Sequence, residues 1–518
     1  MVRIANAVRP RLTRATTAAR PRIARLANTV RLRPAHLPRP QTVRTWQYTA
    51  GAVTAGLTLA AGAVTVAGPW DANGQRTAER GRAAALERSG GADHGRSGTT
   101  AGVPRPAPSA APVLTGLGGV KGAVDTKKAD PGGKALSDVL APLLEASAPD
   151  GSRAAVVVDV TTGRRLYGVD AGKSLIPAST TKIATSVAAL SALGADHRLT
   201  TRTALEPDTG ELVLVGGGDP TLTARKRTDG RASLPTLAAD TAKALHERGI
   251  DKVTLSYDTT LYTGPALHPI GVNDNLAAVS ALAVDEGRTD DSDSGPVTRV
   301  TDPAQDAAAK FAALLEDAGI KTTPPGPSKA TTRAQTLATV SSPPLSALVE
   351  RMLTNSDNDI AEALARQTAL ASGEPASFDG GARAIATQLR KLGLPMSGAS
   401  FHDGSGLDRD DKLTANLLTG LLVKAADPAR PGLRPVLTGL PVAGFTGTLT
   451  DRYTDGAAGL VRAKTGTLTG VNTLAGTVVD TDGQLLAFAF LASGTTDPQE
   501  ARTALDETAT ALAACGCR

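Results

Sequence analysis

Beyond about residue 113, the pattern of apolar and polar positions predicts helices and strands in alternation. Leucine and valine recur at helical spacing over residues 132–148. Alternating residues on either side of a Thr-Gly turn predict two strands within 152–170. An apolar helix follows over 182–194 and ends at a glycine stop signal. Residues 132–194 are therefore predicted to contribute strands and helices to one packed layer.

The end of the chain shows the same kinds of helical and strand patterns. Residues 342–370 return to long apolar helical periodicity. Residues 472–493 predict a β-hairpin on an Asp-Gly turn, and 497–514 predict a closing helix. Strands at both ends of the region, with helices packed around them, indicate an α/β fold with one main layer.

The middle of the chain has a different pattern of apolar and polar residues, which predicts an inserted domain over 200–339. Strand-like pieces at 211–217 and 252–258 are interspersed with amphipathic helices at 234–250 and 302–320. The main domain is accordingly expected to consist of 113–199 and 340–518.

The N-terminal region predicts export. Residues 1–44 form a basic arm with eleven arginines and no acidic residue, and an uncharged run of 21 residues follows at 48–68. A run of this length spans a bilayer core, and the arginines hold the N-terminus in the cytoplasm. The segment 45–70 is therefore predicted to be a transmembrane anchor or a cleaved signal segment, with 71–112 as a disordered linker. Either alternative exports the rest of the protein, to the outer face of the membrane or as a secreted form.

Charge and cysteine content exclude several function classes. The net charge is +6, but outside the basic arm 45 Lys and Arg stand against 50 Asp and Glu. The globular part is mildly acidic, so nucleic acid is not an expected partner. The only cysteines are Cys515 and Cys517, which excludes a disulfide framework and CxxC metal sites. No histidine shows metal-ligand spacing, so no metal is expected.

A serine and a lysine stand three residues apart at the start of the helix over 182–194. Positions i and i+3 share a helix face, so the Lys182 amine can reach the Ser179 hydroxyl. A serine becomes a good nucleophile when a base takes its proton, and burial lowers the pKa of a lysine enough for that task. The free amides of the helix N-terminus make the Ser179 N–H a candidate oxyanion donor.

Two further motifs follow in order, Ser356-Asp357-Asn358 and Lys464-Thr465-Gly466. None of the three motifs is specific alone, but the ordered set of three is specific. In the third motif, Lys464 offers a charge and Thr465 a hydroxyl for a carboxylate. Gly466 lacks a side chain, which suggests that a substrate backbone pairs against this strand.

These three motifs are those of penicillin-binding proteins and class A β-lactamases. The chain from about 113 to 518 resembles the D-alanyl-D-alanine carboxypeptidase/endopeptidases of class C, the low-molecular-mass penicillin-binding proteins, in their actinobacterial form. The resemblance includes the large insertion, "GGGDPTL" at 216–222 and "DGSGL" at 403–407. It implies the serine penicillin-recognising fold, with an antiparallel sheet flanked by helices, and no metal or cofactor. It also implies peptidoglycan stem peptides as substrate and β-lactams as covalent inhibitors.

The resemblance assigns roles to the motif residues. It makes Ser179 the acylated nucleophile and Lys182 its base, while Ser356 and Asn358 relay protons and hold the substrate amide. It makes Lys464 and Thr465 the binding site for the terminal carboxylate, and it places Gly466 and Thr467 on the substrate-binding strand with the Thr467 N–H as second oxyanion donor.

Two alternative functions remain open from the sequence. A class A β-lactamase needs a glutamate between the second and third motifs to activate the deacylating water. Only Glu362 and Glu374 occur there, both close behind Asn358, so the peptidase is preferred. The second alternative is a membrane-anchored sensor of β-lactams or muropeptides without turnover.

Three other residues have more ordinary interpretations. Glu362 is expected to be a helix-surface or structural residue, and Ser405 a residue lining the cleft. His402 is not expected to be catalytic, because no GxSxG motif accompanies it.

Overall fold

The computed structural model describes residues 136–453 and 456–516. The predicted arm, the membrane or signal segment and the linker lie outside the described residues. Among the helices within the described ranges, none combines the length and the apolar character that a membrane crossing requires.

A five-stranded antiparallel sheet forms the centre of the main layer, in the order β2-β1-β11-β10-β9. Both ends of the described chain contribute to it, because β1 pairs with β11 along its full length. The predicted strand pair around the Thr-Gly turn and the predicted hairpin on the Asp-Gly turn are both confirmed. The strands are β1 (Ser152–Asp159), β2 (Arg165–Val169), β9 (Val461–Leu468), β10 (Val471–Val479) and β11 (Leu485–Ser493).

Helices cover both faces of this sheet because successive residues of each buried strand point to opposite sides. On β11, Phe488 and Phe490 face a core shared with the first and last helices, while Ala487 and Ala489 face the larger helical core. The helices of the first face are α1 (Leu136–Ser147) and α10 (Pro498–Ala513). Those of the other region are α2 (Thr181–Leu193), α5 (Leu345–Asn355), α6 (Asn358–Ala371), α7 (Phe378–Lys391), α8 (Ala415–Ala426) and α9 (Pro435–Thr438).

A second sheet is built from the middle of the chain, in the order β6-β5-β4-β3-β8, with β7 beside β5. Its strands are β3 (Thr200–Leu205), β4 (Glu211–Val215), β5 (Lys252–Asp258), β6 (Lys321–Thr322), β7 (Gly326–Pro327) and β8 (Gln335–Ser341). Strands β4 and β5 are parallel, with α3 (Leu234–His246) as the crossover between them. Helix α4 (Pro303–Asp317) shares its separate apolar core. We propose 200–339 as the extent of an inserted domain.

A mostly irregular segment, residues 259–300, connects β5 to α4 and contacts the main layer. It holds a single 3-10 turn, Asp285–Gly287. Its backbone meets the region after α6, since the Thr263 N–H donates to Ala376 O at 3.0 Å. It also meets the start of α6, since the Ala277 N–H donates to Asp359 Oδ1 at 3.0 Å. This segment therefore lies against the helix that follows the second motif.

Candidate active site

Ser179 lies in a short 3-10 turn that leads directly into α2, as predicted from its place at the mouth of a helix. The preceding residue, Ala178, has a φ of 48°, which is uncommon for a residue with a side chain. Gly406 packs against this turn so closely that a Cβ there would lie 2.0 Å from Ala178 O. Packing from the 403–407 loop thus holds the turn that presents the nucleophile.

The amine of Lys182 is fully buried and has three polar neighbours. Its Nζ lies 3.0 Å from Ser179 Oγ, 2.6 Å from Asn358 Oδ1 and 2.7 Å from Ser405 O. Burial lowers the pKa of Lys182 to about 8, although the carboxylates of Asp403 and Glu362 act in the opposite direction. About a tenth of this amine is therefore neutral at pH 7, far more than for an ordinary lysine.

The geometry around Lys182 suits a base. The oxygens of Asn358 and Ser405 are carbonyl oxygens and can only accept, so they take the two N–H groups of a neutral amine. The remaining lone pair is then free to receive the proton of the Ser179 hydroxyl. The orientation of the Asn358 amide is fixed as well, because its Nδ2 donates to Asn275 O at 2.9 Å.

The second motif forms the junction between two helices. Helix α5 ends at Asn355, and the next residue, Ser356, adopts a left-handed conformation with φ of 58°. Asp357 then caps α6 by accepting a hydrogen bond from Ile360 N at 3.0 Å. The turn directs Ser356 and Asn358 to two different lysines. Ser356 Oγ accepts a hydrogen bond from Lys464 Nζ at 2.9 Å, and Asn358 Oδ1 accepts one from Lys182 Nζ. The periodicity over 342–370 thus belongs to two helices with the catalytic turn between them.

The third motif occupies β9, the edge strand of the five-stranded sheet. Lys464 is fully buried, and burial followed by the charge of Lys182 lowers the pKa of Lys464 well below its usual range. The Thr465 hydroxyl donates to Thr448 Oγ1 at 3.0 Å, and Thr467 is exposed further along the strand. The structure thus joins the Ser179, Lys182 and Asn358 side chains in one hydrogen-bonded group and the Ser356 and Lys464 side chains in a second, with Thr465 next to Lys464 on β9.

Gly466 has a structural reason in addition to the predicted pairing with a substrate backbone, which stays a prediction. A Cβ at this position would lie 2.2 Å from Thr473 Oγ1 and 2.7 Å from Pro177 O. Thr473 itself donates to Pro177 O at 2.8 Å. The missing side chain therefore lets β9 and β10 pack against the residues that precede Ser179, so that the nucleophile and the third motif are held together.

Sequence reasoning missed a layer of supporting groups behind Lys182. Glu362 is almost fully buried and accepts hydrogen bonds from the Gly404 and Ser405 amides at 3.1 and 2.8 Å. Of its two expected interpretations, the helix surface is wrong and the structural one is correct. Asp403 and His268 join it, with His268 Nε2 3.1 Å from Asp403 Oδ2. The "DGSGL" letters marked this loop, but no signal pointed to His268 or to the backbone oxygen of Asn275.

Within the described ranges, two buried groups have the spacing that could hold a metal ion: His268 with Glu362 and Asp403, and Glu286 with Asp357 and Asp359. Most of these side chains already have protein partners, although Asp357 Oδ2 has no hydrogen-bond partner among the described residues. In the second group, for example, Arg299 Nη1 donates to Asp359 Oδ2 at 2.8 Å. The reaction expected of Ser179 and Lys182 requires no metal, and the absence of a metal requirement stays a prediction.

Comparison with known proteins is consistent with this site. The model of the D-Ala-D-Ala carboxypeptidase 3 (S13) family matches residues 136–292 and 289–514. The chain is 39% identical over 430 residues to carboxypeptidase DacB of Mycolicibacterium smegmatis, covering 79% of this chain and 90% of that protein. It is 30% identical over 421 residues to the D-alanyl-D-alanine carboxypeptidase of Actinomadura sp. strain R39, covering 66% of this chain and 78% of that protein.

A solved structure shows the same fold. Penicillin-binding protein 4 from Haemophilus influenzae superposes with a TM-score of 0.59 at 22% identity, covering 73% of this chain and 98% of that one. The expected penicillin-recognising fold, with an antiparallel sheet flanked by helices, is confirmed. Since the family model covers most of the chain and close relatives match over most of their length, the chain belongs to the D-Ala-D-Ala carboxypeptidase 3 (S13) family.

Proposed function

We propose that this protein is a serine DD-peptidase that cleaves the terminal D-Ala-D-Ala bond of peptidoglycan stem peptides through an acyl-enzyme at Ser179. The observation that carries the proposal is the position of the fully buried Lys182 amine. Its Nζ lies 3.0 Å from Ser179 Oγ and donates hydrogen bonds to the carbonyl oxygens of Asn358 and Ser405. Membership of the carboxypeptidase family supports the same reaction. Peptide cross-links are a further candidate substrate.

Acylation begins when Lys182 takes the Ser179 proton and Ser179 Oγ attacks the carbonyl of the penultimate D-alanine. The negative charge that develops on the carbonyl oxygen is assigned to the Ser179 and Thr467 N–H groups. A proton passes to the departing D-alanine amine, for which Ser356 is the candidate relay because its hydroxyl contacts Lys464. Water then attacks the ester carbonyl. The bond to Ser179 Oγ breaks, one proton of the water regenerates the Ser179 hydroxyl, and the shortened peptide leaves with the water oxygen in its new terminal carboxyl group.

Substrate binding is assigned to the third motif. Lys464 and Thr465 offer a cation and a hydroxyl for the terminal carboxylate of the stem peptide. In the described structure the Lys464 amine contacts Ser356 and Thr465 O, so a bound carboxylate would join an existing network. Penicillins offer a similar carboxylate and a strained amide, and we assign them to the same site as covalent inhibitors.

A β-lactamase is not favoured, because neither candidate glutamate is placed to activate a water. Glu362 is occupied by the amides of Gly404 and Ser405. Glu374 forms a salt bridge with Arg383 at 2.9 Å. Deacylation of a β-lactam is therefore expected to be slow.

The cellular site is also part of the proposal. The arginine-rich residues 1–44 and the uncharged run at 48–68 favour an exported protein at the outer face of the cytoplasmic membrane, or a secreted one if the segment is cleaved. Peptidoglycan lies on that side of the membrane, which fits the proposed substrate.

The test is intact mass spectrometry of the full chain over hours with excess benzylpenicillin, together with D-alanine release from a pentapeptide substrate. We expect a lasting single adduct at Ser179, and loss of both adduct and peptidase activity in Ser179→Ala. Hydrolysed drug without a lasting adduct would indicate a β-lactamase instead. An unchanged mass and intact drug, with no D-alanine released, would favour the sensor.

A further inference from the structure

Behind Lys182 lies a buried cluster that no motif covers, formed by His268, Glu362 and Asp403. Its side chains are almost fully buried. The cluster joins three parts of the fold, because His268 belongs to the 259–300 segment, Glu362 to α6 and Asp403 to the 403–408 loop. It contacts the proposed catalytic base only through that loop.

The carboxylates of Glu362 and Asp403 accept hydrogen bonds from most of the backbone N–H groups of the 403–408 loop. Glu362 accepts hydrogen bonds from the amides of Gly404 and Ser405. Asp403 accepts hydrogen bonds from the Ser405 hydroxyl at 3.0 Å, the Gly406 amide at 2.7 Å and the Asp408 amide at 2.8 Å. The loop backbone is therefore fixed, and with it the Ser405 carbonyl that accepts a hydrogen bond from Lys182 at 2.7 Å.

The cluster also places opposing charges near the Lys182 amine. The carboxylates of Asp403 and Glu362, and then those of Asp357 and Asp359, favour its charged form, against the larger effect of burial. His268 opposes the carboxylates whenever it carries a proton. Lys464 on β9 adds a charge of the same sign as that of Lys182 whenever both amines are protonated. Asp408 and Asp411 complete the charged groups around the loop.

The members of the cluster differ in the charge that they carry. Burial and the Asp403 charge raise the pKa of Glu362 to about 7. Burial disfavours the charged form of Asp403, but hydrogen bonds from His268 and from the loop amides outweigh it and lower the pKa of Asp403 to about 2. Burial also lowers the pKa of His268, yet its hydrogen bond to Asp403 and the surrounding carboxylates raise it overall.

We propose that His268, Glu362 and Asp403 are positioning residues for Lys182, which fix the Ser405 carbonyl and supply opposing charges that adjust the fraction of neutral Lys182 amine set mainly by burial. The inference rests on the proposed role of Lys182 as the base. Glu362 favours the charged amine and His268 favours the neutral one, so removing either charge moves the pH dependence of acylation in opposite directions.

The test measures the second-order rate constant of acylation by benzylpenicillin between pH 5.5 and 9, in the full chain. Glu362→Gln keeps an oxygen to accept from the Ser405 amide while removing the charge. The acid limb, which is the fall of the rate toward low pH, should move to lower pH. Because Glu362 is itself mostly protonated below its pKa of about 7, the gain should appear near pH 7.5, where acylation should rise about two- to fourfold relative to the plateau. His268→Gln should move the limb upward, with acylation at pH 6 lowered about two- to fivefold on the same basis.

Two further variants separate charge from structure. Glu362→Asp retains the carboxylate and should restore the wild-type limb, even if its plateau is lower. His246→Gln is the matched control, because His246 is an exposed histidine at the end of α3 whose ring nitrogen lies 3.0 Å from Ala318 O, away from the site. Its limb should coincide with that of the wild type.

The outcomes are distinguishable. Limbs of Glu362→Gln and His268→Gln that coincide with the wild type, or that move in the same direction, would overturn the inference and leave a purely structural cluster. A wild-type protein that is not acylated at any pH would instead overturn the proposed function. Thermal melts identify a variant that fails to fold, in which case the other variant still carries a signed expectation.

Discussion

The two sides of the active site are built in contrasting ways. On one side, the three motifs lie on or beside regular elements: Ser179 precedes α2, Ser356 and Asn358 separate α5 from α6, and Lys464 lies on β9. On the other side, the mostly irregular 259–300 segment contacts Asn358 and the 403–408 loop. It supplies the Asn275 carbonyl to Asn358 and the His268 ring to Asp403.

The difference lies in what each side contributes. The motif side presents side chains to which we assign bond or proton changes during the reaction, and those assigned roles restrict the residue type at each position. The 259–300 segment mostly presents backbone atoms and buried charges that orient those side chains. A backbone carbonyl such as that of Asn275 leaves no residue signature, which is why one half of the site is readable as motifs and the other is not.

The largest expected effect follows from removing the base on the motif side. Lys182→Ala leaves Ser179 without a proton acceptor, and we expect acylation by benzylpenicillin to fall by about 10²–10⁴-fold. The measurement is the acylation rate constant on protein with a checked thermal melt. Lys173→Ala is the control, since Lys173 is an exposed lysine that pairs with Asp170 at 3.3 Å. Near-normal acylation in Lys182→Ala would move the role of base to another group.

A smaller effect is expected from the packing that joins the motifs. In Gly466→Ala the new methyl would clash with Thr473 Oγ1 and Pro177 O, so β9 must shift away from the nucleophile. A displacement near 1 Å costs about 10²-fold in rate, and the overpacking costs about 1–3 kcal/mol of stability. Acylation kinetics and a urea titration measure the two losses.

The control for this variant is Gly432→Ala, because Gly432 has no atom within 4 Å of its would-be Cβ. It should behave as the wild type in both measurements. If Gly466→Ala also acylates normally, then contact between β9 and the turn before Ser179 does not set the alignment of the site.

Much of the fold was predictable where the signal is local. The Asp-Gly turn and the flanking alternation identified β10 and β11, and the amphipathic periods identified α3 and α4. The pairing of β1 with β11 was accessible only as an inference from strands at both ends, because register between distant strands depends on packing. The left-handed conformation of Ser356, which divides one helical pattern into α5 and α6, has no local signal either.

The same limit applies to the site. The motifs identified the reacting residues, because chemistry restricts the side chain at each position. The reason for Gly466 could not be predicted, since its neighbours Thr473 and Pro177 come from other parts of the fold. Glu362 looked like many helix glutamates, and only the tertiary placement of the 403–408 loop buries it.

The smallest expected effect concerns Glu286 in the 259–300 segment, and it is an effect on stability rather than on the reaction. Glu286 lies in the 3-10 turn of the 259–300 segment and is buried, with hydrogen bonds from Arg288 Nε at 2.8 Å and Arg351 Nη2 at 3.0 Å. Burial, and then the nearby Asp357 carboxylate of the second motif, raise the pKa of Glu286 to about 7, against the opposing effect of the arginines.

A raised pKa means that the folded protein retains the Glu286 proton over a range in which the unfolded chain has lost it. Between about pH 4.5 and 7, this group therefore stabilises the fold less and less as the pH rises. Glu286→Gln is neutral throughout and lacks this loss. The melting temperature of the variant relative to wild type should therefore rise by several degrees across that range and level off above pH 7, corresponding to about 2–3 kcal/mol.

Thermal melts at several pH values measure this difference, with Glu145→Gln as a control at a glutamate whose side chain is 68% exposed. A difference that does not change with pH would contradict the buried, proton-retaining state of Glu286. Acylation at pH 8 should stay within about threefold of the wild type, because Glu286 touches no reacting atom. If acylation fell as far as in Lys182→Ala, the 259–300 segment would carry chemistry itself, and the division between a reacting side and a supporting side would be wrong.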